Sequence, residues 1–241
     1  MAHSHVIASR WLLIALLGGS GPATALEVSP LRVSIPAQAM QAEVWLYNPE
    51  PHPWSGQARL YRWEQTEDSE VLVPAEDVAL SPAELHIAPN TRQRMRVVRL
   101  APPPEAVERG YRLVIQAHEA SPPLRVSLPV FLAPATPIRD RPALGAVVET
   151  AAAGPVLRLY NAGSDHARLT DLVFIDAAGA RHRVVAGLAG YVLPRQTRRW
   201  PLPGRPEAYA GGEFRARLDD GGEVVLSGMP PTIAPPAQAG L

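Results

Sequence analysis

The stretch Leu124 to Pro134, LRVSLPVFLAP, alternates its side chains with period two. Leu124, Val126, Leu128, Val130 and Leu132 fall on one face; Arg125, Ser127, Pro129 and Phe131 fall on the other. That is the pattern of a β-strand. Pro129 stands in its middle and has no N–H to give to a ladder, so the strand belongs at a sheet edge. A long apolar edge strand invites aggregation. A chain that keeps one has a use for it, and an edge is suited to pairing with another chain.

The rest of the chain is punctuated in the same spirit. Its 241 residues include 27 prolines and 18 glycines, far more proline than the usual roughly 5%. Such spacing suits many short strands and is hostile to long helices. From Leu26 to Ala133 the candidate strands are Glu27–Ser34, Ala42–Asn48, Gln57–Glu64, Glu70–Val73, Glu84–Ile87, Gln93–Leu100, Tyr111–His118 and Leu124–Leu132. Turn signals at Asn48-Pro49-Glu50-Pro51, Ser81-Pro82 and Ala88-Pro89-Asn90 separate them. Glu105–Arg109 reads as a single helical turn. Seven or eight strands in roughly 110 residues suit an immunoglobulin-like sandwich.

A second strand series follows the proline-flanked segment Pro134–Pro142: Leu144–Thr150, Val156–Asn161, Arg168–Asp176, His182–Val185, Gly190–Leu193, Arg198–Leu202, Glu213–Leu218 and Glu223–Leu226. Asn161-Ala162-Gly163-Ser164, Ala178-Gly179 and Asp219-Asp220-Gly221-Gly222 read as its turns. The expected fold is all-β: two immunoglobulin-like β-sandwich domains in tandem with a cleft between them. The first occupies residues 26–134, a linker 135–142, the second and smaller domain 143–230, and a flexible tail 231–241.

Residues 1–25 read as a cleavable signal peptide. Arg10 supplies the positive flank, Trp11–Leu17 a short apolar core, and Ala23-Thr24-Ala25 a small-x-small cleavage site. The chain is therefore expected to be exported, without membrane insertion. There is no cysteine, so neither disulfides nor thiolate metal sites are available. All 23 basic residues are arginine, against 23 acidic ones. Removing Arg10 with the leader leaves 22, and this balance does not favour nucleic acid as a partner.

The order of phrases resembles the periplasmic chaperones of the chaperone–usher pilus pathway. VSPLRVSI (Val28–Ile35), VWLYNPE (Val44–Glu50), LSPAELHIAPNTRQRMRVVRL (Leu80–Leu100) and ERGYRLVIQ (Glu108–Gln116) carry the likeness in the first half. LRLYNAGSDHARLTDL (Leu157–Leu172) and GYVLPRQTRRWPLP (Gly190–Pro203) carry it in the second. LPVFLAP (Leu128–Pro134) stands where many members have Tyr-Arg-Pro. That absence, with the lack of cysteine, is similar to the archaic, Csu-type or spore-coat-U-associated branch.

The resemblance implies a chaperone, not an enzyme, with no cofactor, no metal and no small-molecule substrate. Its partners would be a pilin subunit and an outer-membrane usher, and its compartment the periplasm. The subunit would be bound by donor-strand complementation, its missing strand supplied by Leu124, Val126, Leu128 and Val130. Each such side chain, once buried, contributes roughly 1.5–3 kcal/mol. The family also anchors the subunit's terminal carboxylate with two basic residues. Arg32 matches the first. The second is a lysine at the position of Pro129, so Arg112 in the neighbouring strand is the substitute, with Arg125 and Arg139 behind it. The alternative is an exported structural subunit or adhesin built from sandwich domains.

Other features carry less. Arg92, Arg94 and Arg96 share a strand face without aromatic interleaving, as a solvated edge does. The histidines show no ligand spacing, and His182 lies between two arginines. Asp219-Asp220 fit turn chemistry better than catalysis. Trp45, Trp54, Trp63 and Tyr47 read as first-domain core or rim.

Overall fold

The computed structural model describes residues 26–119, 125–136, 143–219 and 221–228. The expected signal peptide, the tail, Leu124, Arg139, Asp220 and most of the linker lie outside the described residues.

Ten strands build the first half: β1 (Glu27–Ser29), β2 (Val33–Ile35), β3 (Gln41–Asn48), β4 (Trp54–Gln65), β5 (Glu70–Pro74), β6 (Val78–Ser81), β7 (Glu84–Ile87), β8 (Thr91–Arg99), β9 (Arg109–Ala117) and β10 (Arg125–Leu132). One sheet has the order β1-β3-β8-β6. The other runs β2-β10-β9-β4-β5, with β7 also on β4. The period-two alternation of each strand sends one side chain in two to a shared interior. Val44, Leu46, Met95 and Val97 meet Leu113, Ile115, Leu128 and Val130 there.

The second half comprises β11 (Leu144–Ala151), β12 (Gly154–Asn161), β13 (Ala167–Ile175), β14 (Arg181–Val192), β15 (Thr197–Pro201), β16 (Glu213–Leu218) and β17 (Glu223–Gly228), with one 3₁₀ turn at Pro206–Tyr209. Their order is β14-β13-β16-β17-β11-β12-β15. Strand β17 stands at the middle of this order, antiparallel to β16 and parallel to β11. Leu157, Leu169, Phe174, Trp200 and Phe214 fill the core beneath.

Four local readings change. The strand expected over Glu27–Ser34 is broken at Pro30, so that β1 pairs with β3 in one sheet and β2 with β10 in the other. Strand β6, which pairs with β8, covers Val78–Leu80, where no strand is expected, and Ser81 of the expected Ser81-Pro82 turn. Glu105–Arg109 forms bends and the start of β9, not a helical turn. The two strands expected at His182–Val185 and Gly190–Leu193 are one continuous β14. Its glycines Gly187 and Gly190 have φ of 65° and 132°, and the register against β13 slips at three places. Glycines that resemble strand ends are bulge positions here.

Candidate functional site

Strand β10 pairs with β9 along its whole length, Arg125 with Gln116 through to Leu132 with Arg109. Its other side meets β2 only over Val130–Leu132, in parallel. Just beyond, the Ala133 N–H donates to the Ile35 carbonyl at 3.0 Å. With period two, the main-chain groups of Phe131, Pro129, Ser127 and Arg125 point to that same side. Extending the β2 ladder by one bond would need an N–H at residue 129, and proline has none. The Pro129 carbonyl is the last group in the β2 ladder, and from Arg125 to Ser127 the margin of the sheet is open.

The side chains of this strand tell a different story from its main chain. Leu128 is 4% exposed, Val130 is fully buried, and Val126 is half-buried against the same core. The donor-face side chains Leu128 and Val130 therefore lie in the domain's own core rather than in water. An edge strand lacks a neighbour along the hydrogen-bonding direction, but its inner face still covers the opposing sheet.

The outward face of β10 ends in an aromatic floor between the two halves of the chain. Phe131 stacks on His166, with centroids 3.7 Å apart and planes 3° from parallel. Trp63 meets Tyr191 edge-on at 5.6 Å, and Leu193 closes the cluster. Gln65 pins the halves together with its side-chain amide acting as a peptide group does in a ladder. Its NH2 donates to the Tyr191 carbonyl at 3.0 Å, and its own carbonyl accepts from the Leu193 N–H at 2.9 Å. Beside it, Arg199 reaches Glu67 at 2.7 Å and Glu149 at 3.2 Å.

A guanidinium stands at each end of this floor. Arg112 lies 3.7 Å over the Trp63 ring, with Glu70 at 3.5 Å as its ion pair. Burial lowers its pKa from the ordinary arginine value, and the pull of Glu70 does not fully offset that. A partly desolvated cation of this kind favours a further anion. Arg112 is directly opposite Pro129 in register. On the other flank, Arg32 precedes Val33, which pairs with Val130, so Arg32 also stands at the level of Pro129. Two strand spacings put their backbones roughly 10 Å apart. Arg32 is already paired, its Nη1 2.8 Å from Asp219 Oδ1 in the second half. Arg125 is exposed at the far end of the open margin.

Asp219, Glu108 and His166 were not singled out from the sequence for this site. His166 Nδ1 lies 2.7 Å from Glu108, which ties the loop before β9 to the second half. The phrase at Glu108 is visible in the sequence, but its partner is 58 residues away and nothing local announces it. Trp45 remains exposed on the opposite sheet and Trp63 belongs to the floor. Arg94 pairs with Glu43 at 3.1 Å. Among the described residues no group of three or more acidic or histidine side chains could hold a metal ion, and no helix is long and apolar enough to cross a membrane. Two guanidinium groups, one of them over an aromatic ring, beside an open strand margin are suited to recognition of a carboxylate-bearing polypeptide.

Residues 25–136 match the family model described as "Pili and flagellar-assembly chaperone, PapD N-terminal domain". No curated protein matches the chain. Among solved structures, the chaperone–tip adhesion subunit pre-assembly complex CsuC–CsuE, from archaic chaperone–usher Csu pili of Acinetobacter baumannii, aligns with a TM-score of 0.71 at 19% identity. That alignment covers 86% of this chain and 100% of the other. The Pseudomonas aeruginosa CupB2 chaperone aligns with a TM-score of 0.57 at 19% identity over 83% and 97% of the two chains. The Salmonella enterica SafA pilin–SafB chaperone complex gives 0.56 at 18% over 83% and 93%. The shared fold is the all-β, two-domain immunoglobulin-like architecture.

Proposed function

We propose that this chain, whose residues 25–136 match the model of the pilus-assembly chaperone family, binds exported pilin subunits by donor-strand complementation. In this reading it keeps them from aggregating in the periplasm and delivers them to an outer-membrane usher. The family is non-enzymatic, and the reading needs neither cofactor nor nucleotide. Residues 26–134 and 143–230 act as its two domains, joined by 135–142, with a signal peptide over 1–25.

The open margin at Arg125–Ser127, closed at the level of Pro129 between Arg32 and Arg112, is the observation that carries this reading. A strand added there extends the sheet, and its inner face continues the core that Val126 and Leu128 border. Val126 meets the guest first, while Leu128 and Val130 lie deeper; Leu124 completes the proposed donor set. The subunit's terminal carboxylate is held between Arg32 and Arg112, the arginine supplying across one strand what a lysine at position 129 would supply from within.

The test is co-expression of the tagged chain with its neighbouring genes in a Gram-negative periplasm. A small β-rich subunit should co-purify one to one, and Arg32→Ala should reduce its recovery at least tenfold while the chain's own melting temperature stays close to the parent's. Undiminished capture by Arg32→Ala rules out the anchor. Recovery of the chain in surface fibres would favour the structural-subunit alternative.

A further inference from the structure

The cation proposed to receive a guest's carboxylate already holds one of its own. Arg32 Nη1 and Asp219 Oδ1 are 2.8 Å apart, across 187 residues of sequence. Asp219 sits at the end of β16 with a φ of 49°, and its N–H donates to the Arg168 carbonyl at 2.8 Å. Its carboxylate is thus delivered to Arg32 by a fixed backbone. The hold itself is slight. One Nη1–Oδ1 contact leaves the guanidinium fork unfilled, and the side chains are 38% and 37% exposed. Pairs with that exposure contribute little. A free carboxylate that engages the fork bidentately makes the stronger contact.

A second place exists for the displaced group. His166 Nε2 is 4.0 Å from the same Asp219 Oδ1 and is buried with no hydrogen-bond partner, while Nδ1 is committed to Glu108. As an imidazolium, His166 can donate from both nitrogens, one to each carboxylate.

From this geometry we infer that Asp219 is an internal stand-in for the guest's terminal carboxylate. It occupies Arg32 while the chain is empty and shifts toward His166 when a guest carboxylate arrives. The inference rests on the proposed role of Arg32. It makes Asp219 a specificity-determining residue: it screens Arg32 from weak anions and yields only to a carboxylate that is also held by strand pairing.

The experiment uses the full mature chain and a synthetic probe, N-acetyl-Thr-Val-Thr-Val-Thr-Val. The probe is prepared with a free C-terminal carboxylate and as its carboxamide, and binding is followed by NMR titration. The readout is the ratio of acid to amide affinity. Asp219→Asn, which tolerates the same backbone conformation, should raise that ratio about fivefold, the factor equivalent to about 1 kcal/mol. Asp219→Glu should return it toward the parent value. Arg32→Ala should abolish the preference for acid. If Arg32→Ala abolishes the preference but Asp219→Asn leaves the ratio unchanged or lowers it, the stand-in role is overturned and the anchor stands. If Arg32→Ala leaves the preference intact, the anchor itself is overturned.

Discussion

Two asparagines show how much of this molecule rests on single side chains. Asn48 and Asn161 end β3 and β12, and both are fully buried. The Asn48 amide donates to the carbonyls of His52 at 2.8 Å and Ile87 at 3.2 Å, and its carbonyl accepts from the Glu50 N–H. Asn161 does the same for Asp165, Val192 and the Gly163 N–H. Removing such a group strands buried backbone partners. Asn48→Ala should cost about 2–3 kcal/mol in urea denaturation. Asp77 offers a second residue-scale check. Burial raises its pKa, but the hydrogen bonds from the Tyr111 hydroxyl and the Arg109 guanidinium outweigh this and hold it below the usual 3.8. A depressed carboxylate stabilises the fold above its unfolded-state value and loses that contribution as the pH falls through the folded one. Asp77→Asn should therefore show a flatter loss of melting temperature than the parent between about pH 4 and pH 2. Both asparagines were legible in the sequence as turn residues following a strand. Asp219 was not. It reads as an ordinary turn carboxylate, because its partner Arg32 is brought to it only by the packing of one domain on the other.

At the scale of the element, β10 was the part of the fold most readable in advance, since alternation and a central proline leave few alternatives. The direction of each peptide was not readable, because it depends on which neighbour takes which side. That direction yields a sharp comparison. The Ser127 N–H points to the open margin and the Leu128 N–H into the β9 ladder. Ser127→Pro should leave stability within about 1 kcal/mol of the parent, while Leu128→Pro should cost about 2 kcal/mol more than Leu128→Ala, which loses the same core packing but keeps the ladder bond. Subunit capture should fall in both. Equal destabilisation by the two would show that the strand's sides are misassigned. Strand β14 is the counter-example. Its internal glycines carry the same signal as chain breaks, and only pairing with β13 tells a bulge from a turn.

Across the whole molecule, the two domains are held by an aromatic floor, the side-chain amides of Gln65 and Gln196 and a belt of ion pairs. The sequence supplied the tryptophan, the phenylalanine and the prolines of the linker, but not the fact that Phe131 would stack on a histidine. Gly110 lies here for reasons of space, since a Cβ on it would come within 3.2 Å of Leu193 Cδ2. Gln65→Ala removes both amide contacts and leaves a buried carbonyl and N–H without partners, a loss of roughly 2–4 kcal/mol from the domain contact. Calorimetry should then resolve two transitions where the parent gives one. A single transition at the parent temperature would mean that Gln65 does not couple the domains.

The proline at position 129 also sets how firmly anything can be gripped. Along the described margin, a visiting strand finds the N–H and carbonyl of Arg125 and those of Ser127, because the Pro129 carbonyl already belongs to the β2 ladder. Each backbone bond contributes about 1 kcal/mol net. A handhold this short is a toehold rather than a clasp: enough to steady a passenger, too little to keep it from a competitor that can pair along a full strand. Turnover is then built into the backbone, and letting go requires no fuel.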